Sequence, residues 1–332
     1  MRITCAWYPG GTTTFRNRSS KIFETWGRNL QNANDEESRY FIPDPGKQFI
    51  QIDIAGAEAV IVGYLCRPGP YRDLSIYGVK HHSYIAAQIY RNDWQKENPH
   101  YDISHLLSLP IQLLSEHPDW KTLAAIIKAT DKLQDKDRRY YIGKKTGLSF
   151  NYEQGANSFR FTILKESEGK VVLSASEAER FKLLYEIMFP EIPEWQQRTK
   201  ETIKRDKLVR NLYGYPYHIT SHIDPKLERE CIAWIPQSTV GVLATKAFVR
   251  AQREIGGRAD VLNNKHDSVL IQAPRGQCAL DCAMELKSML EPTFESPYDG
   301  VKFKMKTEVS LGDNWAKWDE EKNPNGLKEI KL

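Results

Sequence analysis

Apolar and polar residues alternate through Phe49-Ile50-Gln51-Ile52-Asp53-Ile54, and a second strand-like region runs from Ala259 to Pro274, hinged at Asn264–Asp267. A period of two puts alternate side chains on opposite faces of a strand. Between these regions the pattern is helical. Ala55–Cys66, Tyr77–Tyr90, most of Trp120–Tyr152, Glu177–Met188, Glu194–Asp206 and Ser238–Glu254 read as helices, with a break near Asp135–Asp137 and a strand or hairpin at Leu212–Ile219. Leu280–Leu290 adds a helix and Val301–Val309 a final strand, followed by a charged tail. Residues 1–46 and Arg91–Asp119 read as polar and irregular. Strands from both outer parts of the chain therefore flank a long helical middle. The expectation is a mixed α+β architecture with a helical subdomain.

Composition narrows the class. Of 332 residues, 40% are hydrophobic and 27% charged, as in an ordinary globular protein. The net charge of +4 neither demands nor excludes nucleic acid, so its distribution matters more than its sum. Lys128–Lys145 holds seven basic and three acidic residues, a local positive excess. No apolar run reaches membrane-spanning length and Met1–Gly10 does not read as a signal peptide, so no membrane partner and a cytoplasmic location are expected. The five cysteines, odd in number and widely spaced, read as free thiols. His218 and His222 have metal-pair spacing, but Tyr215-Pro216-Tyr217 argues against a helix there.

The residues that carry chemistry are few. Asp53 ends the first strand and Asp267 sits at the bend of the second region. Acidic residues at strand ends are usually solvated. Two that converge would suit Mg²⁺, which takes one or two carboxylates plus substrate phosphates. Lys144, Leu148 and Tyr152 recur every fourth residue and share a helix face. By pattern alone that face is a solvated amphipathic one. With two carboxylates below it, it suits metal-assisted phosphoryl or nucleotidyl transfer.

In this order the segments resemble the polymerase core of the family A DNA polymerases, meaning bacterial DNA polymerase I and its phage relatives. Asp53-Ile54-Ala55-Gly56-Ala57-Glu58 resembles the family's first catalytic motif, and Arg139-Tyr140-Tyr141-Ile142-Gly143-Lys144 through Tyr152 its nucleotide-binding helix. Lys265-His266-Asp267-Ser268 resembles its third motif, with Ser268 where the family has glutamate, a variation associated with phage members. The resemblance implies that Asp53, Asp267 and the backbone carbonyl of Ile54 hold two Mg²⁺ ions, a role Mn²⁺ could also fill. It implies that Lys144, with Arg139 and His82, meets the triphosphate, His81 being the rival of His82. Tyr152 and Leu148 would line the nucleotide pocket. Glu58 would crowd the sugar 2′ position and favour DNA over RNA synthesis. Tyr140 stands where the family has arginine and Leu148 where it has an aromatic ring.

Further segments fall in the same order. Thr14-Phe15-Arg16 and Asn29-Leu30-Gln31-Asn32 resemble the segment that grips template-primer, with Arg18 the competitor of Arg16. Glu228-Arg229 and Pro236-Gln237-Ser238-Thr239 resemble a palm segment, with Ala233 where the family has asparagine. Arg16, Gln31, Asn32, Arg229, Gln237 and His266 would thus contact DNA. Gly312-Asp313-Asn314-Trp315 resembles the closing motif. The implied organisation is palm at 1–75, fingers at 76–210 and palm again at 211–332: an antiparallel sheet with helices and a helical fingers subdomain, lacking thumb and exonuclease. The implied activity is primer extension on template DNA with deoxynucleoside triphosphates, a partner chain supplying the missing parts. A non-catalytic DNA-binding subunit and a metal-dependent nuclease are the alternatives.

Overall fold

The computed structural model describes residues 5–8, 10–22, 27, 29–133 and 137–332. Lys47–Ile54 is the middle strand of a five-stranded antiparallel sheet. Thr307–Gly312 and then Lys328–Ile330 lie on one side of it, Ser268–Pro274 and then Asp260–Lys265 on the other. The alternation read in the sequence sorts its side chains. Ile50, Ile52 and Ile54 face a core closed by the long helix Pro225–Glu254 and the helix Gln277–Leu290, through Leu243, Ala247, Ala283 and Leu286. Each such isoleucine contributes roughly 1.5–3 kcal/mol of burial. Phe49, Gln51 and Asp53 take the opposite face.

A second core lies among the helices. Trp94, Trp120, Phe159, Phe181, Tyr185 and Phe189 are buried there, and Leu65, at the end of the helix Ala57–Leu65, packs against both cores. The break near Asp135–Asp137 touches 134–136, which lie outside the described residues; helices Pro118–Ala129 and Arg139–Asn151 stand on either side. The helix expected over Tyr77–Tyr90 is His81–Ile89; a further helix, Pro70–Ile76, precedes it, and the two are separated at Gly78 with φ +71°. Arg91–Asp119, read as irregular, forms short helices at Arg91–Glu97, Ile103–Leu106 and Ile111–Glu116. Each is too short to display a 3.6-residue period. The first 46 residues also contain structure. Ala6–Tyr8 pairs with Arg18–Ser20, and Ser19 bonds to Gln31 through its backbone N–H. The last strand read from sequence is likewise two, Lys302–Lys304 and Thr307–Gly312. No described helix is long and apolar enough to cross a membrane.

The basic helix Arg139–Asn151 is fixed at both ends of its contact surface. At Gly143 a Cβ would lie 2.7 Å from the His82 carbonyl oxygen and 2.8 Å from Ala86 Cβ, so the helices cross as closely as backbones allow. At its C-terminal end Asn151 is buried. Its Nδ2 donates to the Tyr71 hydroxyl at 2.6 Å and its Oδ1 accepts from the Tyr185 hydroxyl at 2.5 Å, while Gln196 Nε2 donates to its carbonyl at 3.0 Å. Asn151→Leu keeps the volume and takes the amide partner from two buried hydroxyls. The expected cost is about 3 kcal/mol in urea unfolding, against about 1 kcal/mol for Tyr185→Phe.

Candidate active site

The hairpin Asp260–Lys265/Ser268–Pro274 turns through two residues, His266 and Asp267. Asp53 lies directly opposite Ser268, and the Ile54 N–H donates to the Asp267 carbonyl at 3.2 Å. The two aspartates, more than 200 residues apart in the chain, therefore meet at one end of the sheet. His266 adopts φ +58°, a left-handed conformation uncommon for a residue with a side chain, which here aims the turn at Asp53. Burial raises the Asp267 carboxyl, and the Asp53 charge adds to it, pushing the group up to about 6. Burial likewise raises Asp53, and Glu308 adds to this. Glu308 faces Asp53 from the other neighbouring strand, a placement the sequence did not disclose, and pairs with Lys80 at 3.6 Å.

Neither aspartate forms an ion pair among the described residues. Partly buried carboxylates raised by burial and by a neighbouring carboxylate's charge are what a hard divalent cation would relieve. No group of three or more His, Cys, Asp or Glu among the described residues is arranged to hold a metal. What this end of the sheet brings together is one pair of carboxylates, Asp53 and Asp267. That donor set fits Mg²⁺.

Glu58 opens the helix Ala57–Leu65 and is gripped from two sides, by the Arg16 guanidinium and the Tyr152 hydroxyl. Arg16 is delivered by the chain running over the long helix. Trp234 Nε1 donates to the Thr13 carbonyl at 2.7 Å, and a Cβ at Gly241 would lie 2.6 Å from the Thr14 carbonyl oxygen. Arg16 holds Glu58 and also lowers the carboxyl of Asp267 by its charge, whereas Arg18, its competitor, lies in the Arg18–Ser20 strand and is exposed.

Lys144 is exposed on the basic helix, and Leu148 is half-buried one turn on. His82 packs edge-on to Tyr140, 6.0 Å between ring centres, beside Lys144. Burial first, then His81, Lys144 and Lys80, lower His82 to about 3, so its ring is neutral at pH 7. His81 instead bonds the Tyr71 carbonyl at 3.0 Å. Arg139 is not free. Glu97 accepts from it at 2.8 and 2.9 Å and Asp137 at 2.5 Å, with its guanidinium 3.5 Å from the Trp94 ring centre. Gln31 is buried, its Nε2 donating to the Asn17 and Asn264 carbonyls at 2.8 and 3.0 Å and its Oε1 accepting from Ser19 N–H at 3.0 Å. In this conformation it braces the N-terminal segment rather than facing solvent. Asn32, Arg229 and His266 are exposed, and Gln237 is half-buried on the long helix.

No family model matches the chain, and no curated protein does. Among solved structures the chain is similar to the POL domain of Pol1 from M. smegmatis, determined in complex with DNA primer-template and dNTP, with a TM-score of 0.66 and 15% identity. The match covers 95% of this chain and 48% of the solved one, so the chain spans about half the length of that structure. The likeness establishes the fold: a mixed α+β arrangement with an antiparallel sheet, similar to a polymerase domain.

The raised carboxyl has a measurable consequence. Between its ordinary value of 3.8 and about 6, the folded chain keeps a proton on Asp267 that the unfolded chain has released. Charged Asp267 therefore costs stability above pH 6, and that cost vanishes below pH 4. Asp267→Asn is expected to stabilise the metal-free protein by about 2 kcal/mol at pH 7 and by little at pH 4, in urea unfolding at both pH values. Added Mg²⁺ should narrow the difference at pH 7.

Proposed function

We propose that this chain catalyses template-directed DNA synthesis, joining a deoxynucleotide to a primer 3′ end. The observation that carries the reading is the meeting of Asp53 and Asp267 at one hairpin turn, in a fold similar to a polymerase domain. The primer 3′ hydroxyl attacks the α-phosphate, a P–O bond forms to the primer, and pyrophosphate leaves. Two Mg²⁺ ions, held by Asp53, Asp267 and the Ile54 carbonyl, would acidify that hydroxyl and stabilise the leaving oxygen.

The remaining roles fall to the protein. Lys144, exposed and without an ion pair among the described residues, presents a point charge to the triphosphate. Neutral His82 beside it can donate an N–H to a phosphate oxygen. Arg139 is already matched by Glu97 and Asp137, so it takes part only if those pairs open. Glu58, held rigidly by Arg16 and Tyr152, stands as a wall for the sugar, and Leu148 lines the same helix face. Asn32, Arg229, Gln237 and His266 would meet primer and template, a role supported by the motifs they belong to and by the exposure of Asn32, Arg229 and His266. Family A membership, supported by the order of the motifs, and a phage-type origin, supported by Ser268 in place of glutamate, are part of this reading.

Asp267→Asn should reduce primer extension by at least about 10³-fold while leaving primer-template affinity within about twofold. Lys144→Ala should raise the KM for deoxynucleotide roughly tenfold or more. Primer extension with gel-resolved products, together with fluorescence anisotropy of labelled duplex, measures both. Strand cleavage without nucleotides would favour the nuclease alternative. Duplex binding without extension, relieved by adding a second chain, would make this a DNA-binding subunit.

A further inference from the structure

The segment Gly312-Asp313-Asn314-Trp315 has no task in the function proposed above, yet its tryptophan reaches the site. Trp315 Nε1 donates to Gln51 Oε1 at 2.7 Å, and Gln51 Nε2 donates to Asp53 Oδ2 at 2.8 Å. Gln51 precedes Asp53 by two residues and shares its sheet face, so the contact follows from strand geometry. The orientation of the amide is also determined. An indole N–H can only donate and an ionised carboxylate can only accept. Gln51 must therefore turn its oxygen to Trp315 and its nitrogen to Asp53, which removes the usual ambiguity of a glutamine side chain.

The tryptophan is itself fixed. It is 6% exposed, its backbone N–H donates to the Phe41 carbonyl at 3.1 Å, and its ring meets Phe41 edge-on at 5.6 Å. The Lys265 ammonium lies 5.4 Å from the centre of the same ring and donates to the Ala33 carbonyl at 2.8 Å. Lys265 is the residue from which the His266-Asp267 turn departs. One indole thus touches the supports of both aspartates.

We propose that Trp315 and Gln51 are positioning residues for the metal-binding carboxylates, locking Asp53 with Oδ2 engaged so that Oδ1 is left to bind a divalent cation. This rests on the nucleotidyl-transfer reading and deepens it. Outer hydrogen bonds to metal-ligating carboxylates typically govern metal affinity by ten- to a hundredfold.

The test uses Mn²⁺ as a spin probe, its binding to the full chain followed by electron paramagnetic resonance. Trp315→Phe keeps the ring and removes the N–H; Gln51→Met keeps the length and removes the amide. Each is expected to weaken Mn²⁺ binding about tenfold, and the double variant no more than either alone, because both cut one chain of bonds. The Mg²⁺ concentration for half-maximal extension should rise in parallel, with the deoxynucleotide KM at saturating Mg²⁺ unchanged and the urea midpoint little moved. Unaltered Mn²⁺ affinity in both single variants, or effects that multiply in the double, would overturn the relay alone. The functional reading is probed separately by Asp53→Asn. A chain whose Mn²⁺ binding ignores that substitution, or that binds no Mn²⁺, overturns the reading and the relay together.

Discussion

The pairing of Lys47–Ile54 with Ser268–Pro274 is the constraint on which the rest depends. Its register puts Asp53 across from Ser268 and the Ile54 N–H on the Asp267 carbonyl. A slip of one residue would turn Asp53 into the core and bring Ile52 or Ile54 to the open face. The isoleucines prevent this, because each must be buried on the side of the long helix. Apolar burial on one face thus fixes the position of charge on the other.

Charge at that end of the sheet is deliberately unbalanced. Asp53 has Glu308 across one strand and Ser268 across the other. Like charges directly opposite each other destabilise a sheet, and a carboxylate at 268 would have flanked Asp53 on both sides. Serine keeps the repulsion to one neighbour, and its hydroxyl lowers the Asp53 carboxyl. Arg16 supplies partial compensation at Asp267 while holding Glu58. Lys144 lies beside the half-buried His82, the two held together by the glycine crossing at 143.

Much of this was legible in the sequence, and the limits have physical causes. The central strand, the hairpin, the mixed architecture and the part of the long helix from Ser238 show a clear period, because their buried faces are long enough to display one; the helix in fact begins at Pro225, and Pro236 inside it hid that first part. The ribbon 6–8/18–20 does not, since three-residue strands held by Asn17, Ser19 and Gln31 leave no pattern. The short helices within 91–116 bury only one or two large residues each, among them Trp94, Ile103 and Ile111, so they read as polar loop. Asp53 and Asp267 stand out by strand position, but the Tyr152–Glu58–Arg16 contact joins three distant segments. The pairing of Arg139 with Glu97 and the internal bonding of Gln31 are tertiary facts too. Trp315 belonged to a recognisable motif, yet its partner Gln51 lies on a strand more than 250 residues earlier.

The separation of the two halves of the central pairing also bears on how the chain acquires its site. Most of the helical core can collapse through nearby contacts, whereas joining 47–54 to 268–274 requires closing a loop of more than 200 residues. Such long-range closure is entropically costly and slow. Any divalent-ion affinity of the aspartate pair would therefore arise only after that closure, and a ribosome-bound fragment ending before 267 has no second aspartate to offer. An ion present in the cell would act as a latch on the finished topology, stabilising it by mass action only after the two ends have met.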